Sequence, residues 1–208
     1  MSFYSYEWLN RPENISALTE NKLSFKTDAE TDFWQKTHYE MRKDNGHFFY
    51  QTLSARAFEY QISLSSLQGA RYDQAGIMLR ANAENWMKVS AEFETTERSW
   101  VGAVNTKFGL SDWSTSRMPT MQHQHYKLVV EGDSALVYAL VGTDWQQLRM
   151  LDISHLRRID GLDIGVYACS PKGQGFEVSF FDVQLTIRSL IDKNEAALHL
   201  LSQCYIES

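Results

Sequence analysis

The chain predicts an all-β protein built as a β-sandwich, on three observations. Apolar and polar residues alternate through nearly every apolar run from Phe48 to Ile187. That period sends one strand face into a core and the other toward water. Turn-forming residues separate the runs at short, near-regular intervals, the pattern of a sandwich or barrel. Aromatic residues make up 13% of the chain, and strands favour them. At 208 residues the chain can bury a large core in one domain without disulfide staples.

The elements follow in order. Phe58, Tyr60, Ile62 and Leu64 alternate with Glu59, Gln61 and Ser63, a strand with one dry face. Residues 74–81 and 86–94 make two strands joined by a polar turn. Strands over 99–106, 126–131 and 135–140 come next, the last two turned at Gly132-Asp133. Residues 146–151, 162–168 and 176–187 complete the series. Phe180-Phe181 interrupts the alternation and predicts a bulge. Residues 41–46 read as a polar loop, and Gly173-Gln174-Gly175 as a hairpin turn. Residues 108–124 read as a long loop, a length that is often functional. Over 189–205, Leu190, Ala197, Leu198, Leu201 and Tyr205 recur at helical intervals. They predict an amphipathic terminal helix packed on the sandwich, with dimerisation or partner docking as the alternative. The chain therefore divides into a sandwich over 1–187 and a helical extension over 188–208.

Several function classes are disfavoured. The formal charge is −6 and the densest basic cluster is Arg157-Arg158, too small a footprint for nucleic acid. His123-x-His125 places two imidazoles on one strand face, but zinc needs about four ligands and no others are suitably spaced. Cys169 and Cys204 show no metal spacing. Neither metal nor cofactor is expected. There is no nucleophile elbow, phosphate loop or dinucleotide fingerprint. The N-terminal residues lack the pattern of a signal peptide, and no window approaches the ~18 apolar residues of a membrane span. The expectation is a cytoplasmic protein with no membrane partner and reduced cysteines, a Cys169–Cys204 disulfide being the alternative.

The candidate site comes from strand parity. Ala75, Ile77 and Leu79 take one face of the first central strand, and Gln74, Gly76, Met78 and Arg80 the other. On the next strand Met87, Val89, Ala91 and Phe93 oppose Trp86, Lys88, Ser90 and Glu92. The two polar sets share a face if the strands pair. Val101, Ala103 and Asn105 would extend that face, and Gly76 would leave room for a close ligand. Asp112-Trp113 would stand at its rim. Asp32-Phe33-Trp34 with His38 forms a second aromatic–polar cluster. On this reading Lys88 is a surface amine, and Lys88→Ala costs affinity rather than stability. Glu92-Phe93-Glu94-Thr95-Thr96-Glu97 has the carboxylate spacing of some sandwich glycosidases.

Seven stretches, in order, resemble one family. They are Tyr6-Glu7-Trp8-Leu9-Asn10, Thr31-Asp32-Phe33-Trp34, Asp44-Asn45-Gly46-His47, Tyr72-Asp73-Gln74-Ala75-Gly76, Asn85-Trp86-Met87-Lys88, Ser111-Asp112-Trp113-Ser114 and Gly165-Val166-Tyr167-Ala168-Cys169-Ser170-Pro171. The family is the concanavalin A-like domain family, largely of unknown function, that includes the fungal regulation-of-enolase proteins. The resemblance implies a jelly-roll sandwich whose concave sheet binds ligand. The expected function is therefore a non-enzymatic binding protein for a small saccharide or sugar phosphate. Its site would draw on Trp34, His38, Asp73, Gln74, Arg80, Trp86, Lys88, Glu92, Asn105, Asp112 and Trp113. The alternatives are a protein-interaction regulator of a metabolic enzyme such as enolase, and a glycoside hydrolase using Glu92 and Glu94. Oligomerisation is compatible with each.

Overall fold

The computed structural model describes residues 2–188. The expected terminal helix and Cys204 lie outside the described residues. The strands are β1 (Glu7–Leu9), β2 (Asn14–Leu18), β3 (Lys22–Lys26), β4 (Phe33–Gln35), β5 (Arg42–Asp44), β6 (His47–Leu53), β7 (Ala57–Ser66) and β8 (Gln74–Asn82). They continue as β9 (Asn85–Phe93), β10 (Arg98–Lys107), β11 (Leu110–Pro119), β12 (His123–Glu131), β13 (Ser134–Val141), β14 (Asp144–Asp152), β15 (Leu162–Cys169) and β16 (Glu177–Ile187).

Two antiparallel seven-stranded sheets form a sandwich. The first has the order β1-β6-β15-β8-β9-β10-β11 and the second β14-β13-β12-β7-β16-β3-β2. Ile77, Leu79, Met87, Val89 and Val166 of the first sheet meet Tyr60, Ile62, Leu64, Leu128, Val137 and Phe180 of the second in one buried core. Each such aliphatic side chain contributes about 1.5–3 kcal/mol by leaving water. The predicted parity of β7, β8 and β9 is the parity observed. A register shift falls between Phe181 and Gln184 of β16, just beyond the predicted bulge.

Three expectations are corrected. Residues 108–124 are chiefly the strand β11, which pairs with β10 along its whole length. Phe108 at φ 53 and Gly109 at φ 75 make the two-residue turn, both in the left-handed region a type I′ hairpin requires. β11 is an edge strand with little burial on either face, so Ser111 to Ser116 carry no apolar alternation to read. Residues 41–46 contain β5, which pairs with β4 in a separate ribbon. Three-residue strands are too short to show a period. Gly173-Gln174-Gly175 is not a hairpin turn, because it carries the chain from β15 in the first sheet to β16 in the second. Gly175 has φ 87, and a Cβ there would sit 1.9 Å from the Thr27 carbonyl oxygen. Among the described residues no helix is long and apolar enough to cross a membrane.

Candidate functional site

Strand pairing sets the outer face of the first sheet in rows. One row runs Arg80, Trp86, Thr106, Ser111; the next Met78, Lys88, Val104, Trp113; the next Gly76, Ser90, Gly102, Thr115; and the last Gln74, Glu92, Trp100, Arg117. The polar sets of β8 and β9 therefore do share a face, as their alternation predicts. That face is not open. The segment carrying β4 and β5 lies over part of it, and Phe33, Phe48, Met78, Trp86, Tyr167 and Cys169 form a second small core beneath the cover.

The motif residues fasten this cover. The Asp32 amide donates to Asn45 Oδ1 at 3.0 Å, and the Gly46 amide donates to the Asp32 carbonyl at 3.1 Å. A Cβ on Gly46 would meet Cys169 Sγ at 2.4 Å and the Phe33 ring at 2.5 Å, so only glycine lets the ribbon close. The Ser170 amide donates to Thr31 Oγ1 at 3.0 Å. The Gln35 amide donates to Ser111 Oγ at 2.9 Å. His47 accepts from the Asp28 amide through Nε2 at 2.9 Å and contacts the Asn10 carbonyl through Nδ1 at 2.7 Å. Burial pushes its imidazole below the ordinary histidine range and keeps it in the neutral form that serves both contacts.

Lys88 is 2% exposed and corrects the surface-amine reading. Its Nζ donates to the Phe33 carbonyl at 2.9 Å and to Gln74 Oε1 at 2.7 Å, and lies 3.7 Å from Asp32 Oδ1. It also sits 5.6 Å from the ring centroids of Trp86 and Tyr167, within cation–π range. Tyr167 is opposite Gly76 and donates to Ser90 Oγ at 2.8 Å, so its ring crosses the strand over that glycine. The ring fills the space expected for a ligand. A Cβ on Gly76 would come within 1.8 Å of the Val89 carbonyl oxygen.

Beside this lid a cleft of about 420 Å³ remains. Its walls include Trp34 and Tyr39 from the cover, Trp113 from β11, Tyr72 and Pro171. Its floor is Gln74, Lys88, Asp32 and Glu92. Glu92 is 8% exposed, and no hydrogen bond to its carboxyl is found among the described residues. Burial raises that carboxyl to about 7, with the Lys88 ammonium opposing and Asp32 adding to the rise. A carboxyl raised from an ordinary 4.5 leaves stability intact at low pH and removes it as pH rises through about 7. Glu92→Gln is therefore expected to flatten the stability profile between about pH 4.5 and 7. Above that range it should raise stability by up to about 3 kcal/mol, checked by urea melts at pH 5 and 8.

The predicted residues separate accordingly. Trp34, Gln74, Lys88, Glu92 and Trp113 meet at the cleft. Arg80 shares their face but closes its guanidinium on Asp44, with bonds of 2.8 and 2.9 Å. Trp86 is fully buried and donates Nε1 to the Ala83 carbonyl, so its ring packs under the cover and is closed to ligand. Asp73 accepts from the amides of Gly69 and Ala70 and from Ser170 Oγ, a turn-fixing role. Asn105 stands opposite Met87 and Asp112 opposite Asn105, so both have inward parity, away from Lys88. The reading that groups Val101, Ala103 and Asn105 with Lys88 is off by one residue of register. Asp112 is bound by Arg149 of the second sheet at 2.5 Å. His38 is exposed at φ 67, edge-on to Tyr39, and does not line the cleft. Glu94 is held by Arg98 at 2.8 Å and is also absent from the lining.

Sequence reasoning overlooks Tyr39, Tyr72 and the role of Asp32. Tyr72 and Asp32 belong to the quoted motifs, which were the available signal, whereas Tyr39 stands in a turn with no pattern.

Comparison with known proteins agrees with this architecture. A family model described as a protein of unknown function, DUF1349, matches residues 8–187. The chain is 30% identical over 179 residues to "Regulation of enolase protein 1" of Saccharomyces cerevisiae, covering 86% of this chain and 88% of that protein. A solved structure of a functionally unknown S. cerevisiae protein superposes with a TM-score of 0.81 at 28% identity, over 91% of this chain and all of that one. A GH43 protein of Bacillus licheniformis superposes with a TM-score of 0.67 at 16% identity, over 88% of this chain but 37% of its own, a likeness of fold alone. Motifs, sandwich topology and these matches together place the chain in the DUF1349 family, with a concanavalin A-like jelly-roll fold.

Proposed function

We propose that this protein is a cytoplasmic, non-enzymatic binding protein that holds a small saccharide in the cleft over the first sheet. The observation that carries the reading is that two indoles from separate elements, Trp34 of the cover and Trp113 of the edge strand, line one cleft with a polar floor. Sugar rings present apolar faces to aromatics and hydroxyls to polar groups, and concave sites with few convergent polar groups suit them. A neutral sugar ring fits better than a sugar phosphate. The fork of Arg80 is closed on Asp44, and Lys88 directs its protons at protein acceptors. Asp32 and Glu92 would repel a phosphate. Hydrolysis by Glu92 and Glu94 is not supported, because Glu94 is engaged by Arg98 outside the cleft.

Trp113→Ala is expected to weaken oligosaccharide binding about tenfold, equivalent to about 1.4 kcal/mol, while leaving the melting temperature nearly unchanged because Trp113 is only half-buried on an edge strand. Calorimetry against a panel of neutral oligosaccharides checks this. An unaltered affinity, or no binding by the wild type, removes the proposal. A second reading, regulation of a metabolic enzyme by direct contact, draws on the printed name of the yeast relative. Co-sedimentation with purified enolase tests it.

A further inference from the structure

The charges of the cleft do not balance at its floor. Asp32 and Glu92 bring two carboxylates and Lys88 one ammonium, all three buried. The ammonium has three protons. Two go to the Phe33 carbonyl and Gln74, and Asp32 is the carboxylate within 4 Å. Glu92 is left without a hydrogen bond among the described residues, although it is more than nine-tenths buried and lines the cleft. Exposed Lys43, Lys172 and Glu30 stand at the mouth, where water screens them. A buried carboxylate without a partner is costly, and a cation supplied from outside would relieve it. Aromatic walls beside the carboxylate suit a cation as well as a sugar face.

We infer that the saccharide carries a free amino group, an amino sugar or its oligomer, whose ammonium pairs with Glu92 while the ring stacks on Trp34 and Trp113. This inference rests on the saccharide reading and names its ligand class. The ammonium completes a floor in which two carboxylates face two cations. The titratable or charged groups lining the cleft with Glu92 are Lys88 on its own strand, Asp32, Tyr39 and Lys43 of the cover, Glu30, Tyr72 before β8 and Lys172, and Tyr167 and Cys169 on β15 act on it from beneath the cover. Burial pushes the thiol of Cys169 and the hydroxyl of Tyr167 upward, so both keep their protons near neutrality. Glu92 is the group that changes charge there, and pairing requires its ionised form. Affinity for an amino sugar is therefore expected to rise with pH as Glu92 ionises and to fall again once the amine of the sugar loses its proton. A neutral sugar accepting a proton bond from Glu92 would show the opposite slope.

The test is calorimetry with a chitosan tetrasaccharide, its fully N-acetylated counterpart, a cellotetraose and a simple alkylamine. The free-amine sugar should bind about ten- to hundredfold tighter than either neutral one, the equivalent of one charge-assisted hydrogen bond. Glu92→Gln should abolish that preference, and the rising limb of the wild-type pH profile, absent from Glu92→Gln, reads the same pairing. Equal affinity for the three sugars, or the same pH profile in the wild type and Glu92→Gln, overturns the amine inference and leaves the saccharide reading standing. Alkylamine binding as tight as chitosan, with no neutral sugar bound, overturns the saccharide reading and keeps the charge pairing. No binding of any of the four overturns both.

Discussion

Lys88→Ala is expected to destabilise the protein by about 3–5 kcal/mol, the range for removing one partner of a buried charge pair. Lys88 ties three elements together: its Nζ reaches the Phe33 carbonyl of the cover, Gln74 of β8 and the Asp32 carboxylate. Its removal leaves a buried carbonyl, an amide oxygen and the Asp32 carboxylate without their cation, and takes from Glu92 the nearby positive charge that opposes its burial. The loss should be largest above neutral pH, where Glu92 is ionised, and smaller below about pH 5, where Glu92 is neutral. Equilibrium denaturation at both pH values reads this. A loss below about 1 kcal/mol, the value of a surface ion pair, would mean that the cover does not hold Lys88 down. Lys88→Met tests the same point with the stem volume retained. It should recover only the packing part of the loss.

Trp86→Ala is expected to cost about 3–5 kcal/mol, as for other fully buried large aromatics. The ring meets Phe33 at 6.2 Å between centroids and anchors the small core between sheet and cover. The cavity would sit between β9 and β4, so the cover should loosen before the sandwich does. Hydrogen exchange is expected to show faster exchange in residues 31–46 with little change in β7 or β12. Uniform acceleration across both sheets would instead place Trp86 in the main cooperative unit. Trp86→Phe should recover most of the loss, because it keeps an aromatic ring over Lys88.

Both expectations depart from a reading of Lys88 and Trp86 as ligand contacts, and the reason is instructive. Their shared face was legible from alternation alone, because Met87, Val89 and Ala91 had to enter the core and Trp86, Lys88 and Glu92 then had to leave it. What covers that face was not legible. Residues 27–46 carry two short strands and several left-handed turns, with no period to read. Their placement is decided by contacts distant in sequence, such as Asn45 with Asp32, Thr31 with Ser170 and Gln35 with Ser111. The motif residues were visible as a set, but their common task of fastening the cover appears only once the chain is folded.

The sequence by itself determined the sandwich, the strand parity of its central strands, and the presence of Gln74, Lys88 and Glu92 on one sheet face. These follow from a local rule, two residues per strand repeat, reinforced by apolar burial. Only the tertiary structure decided the register of β10, which turns Asn105 inward, and the strand character of β11, which leaves Trp113 but not Asp112 on the cleft side. It also decided which polar groups are satisfied. Arg80 finds Asp44, Asp73 finds its turn, and Lys88 finds the cover, while Glu92 finds no hydrogen-bond partner among the described residues. Pairing of this kind depends on which distant segments meet, and a one-dimensional pattern does not encode distance across the fold.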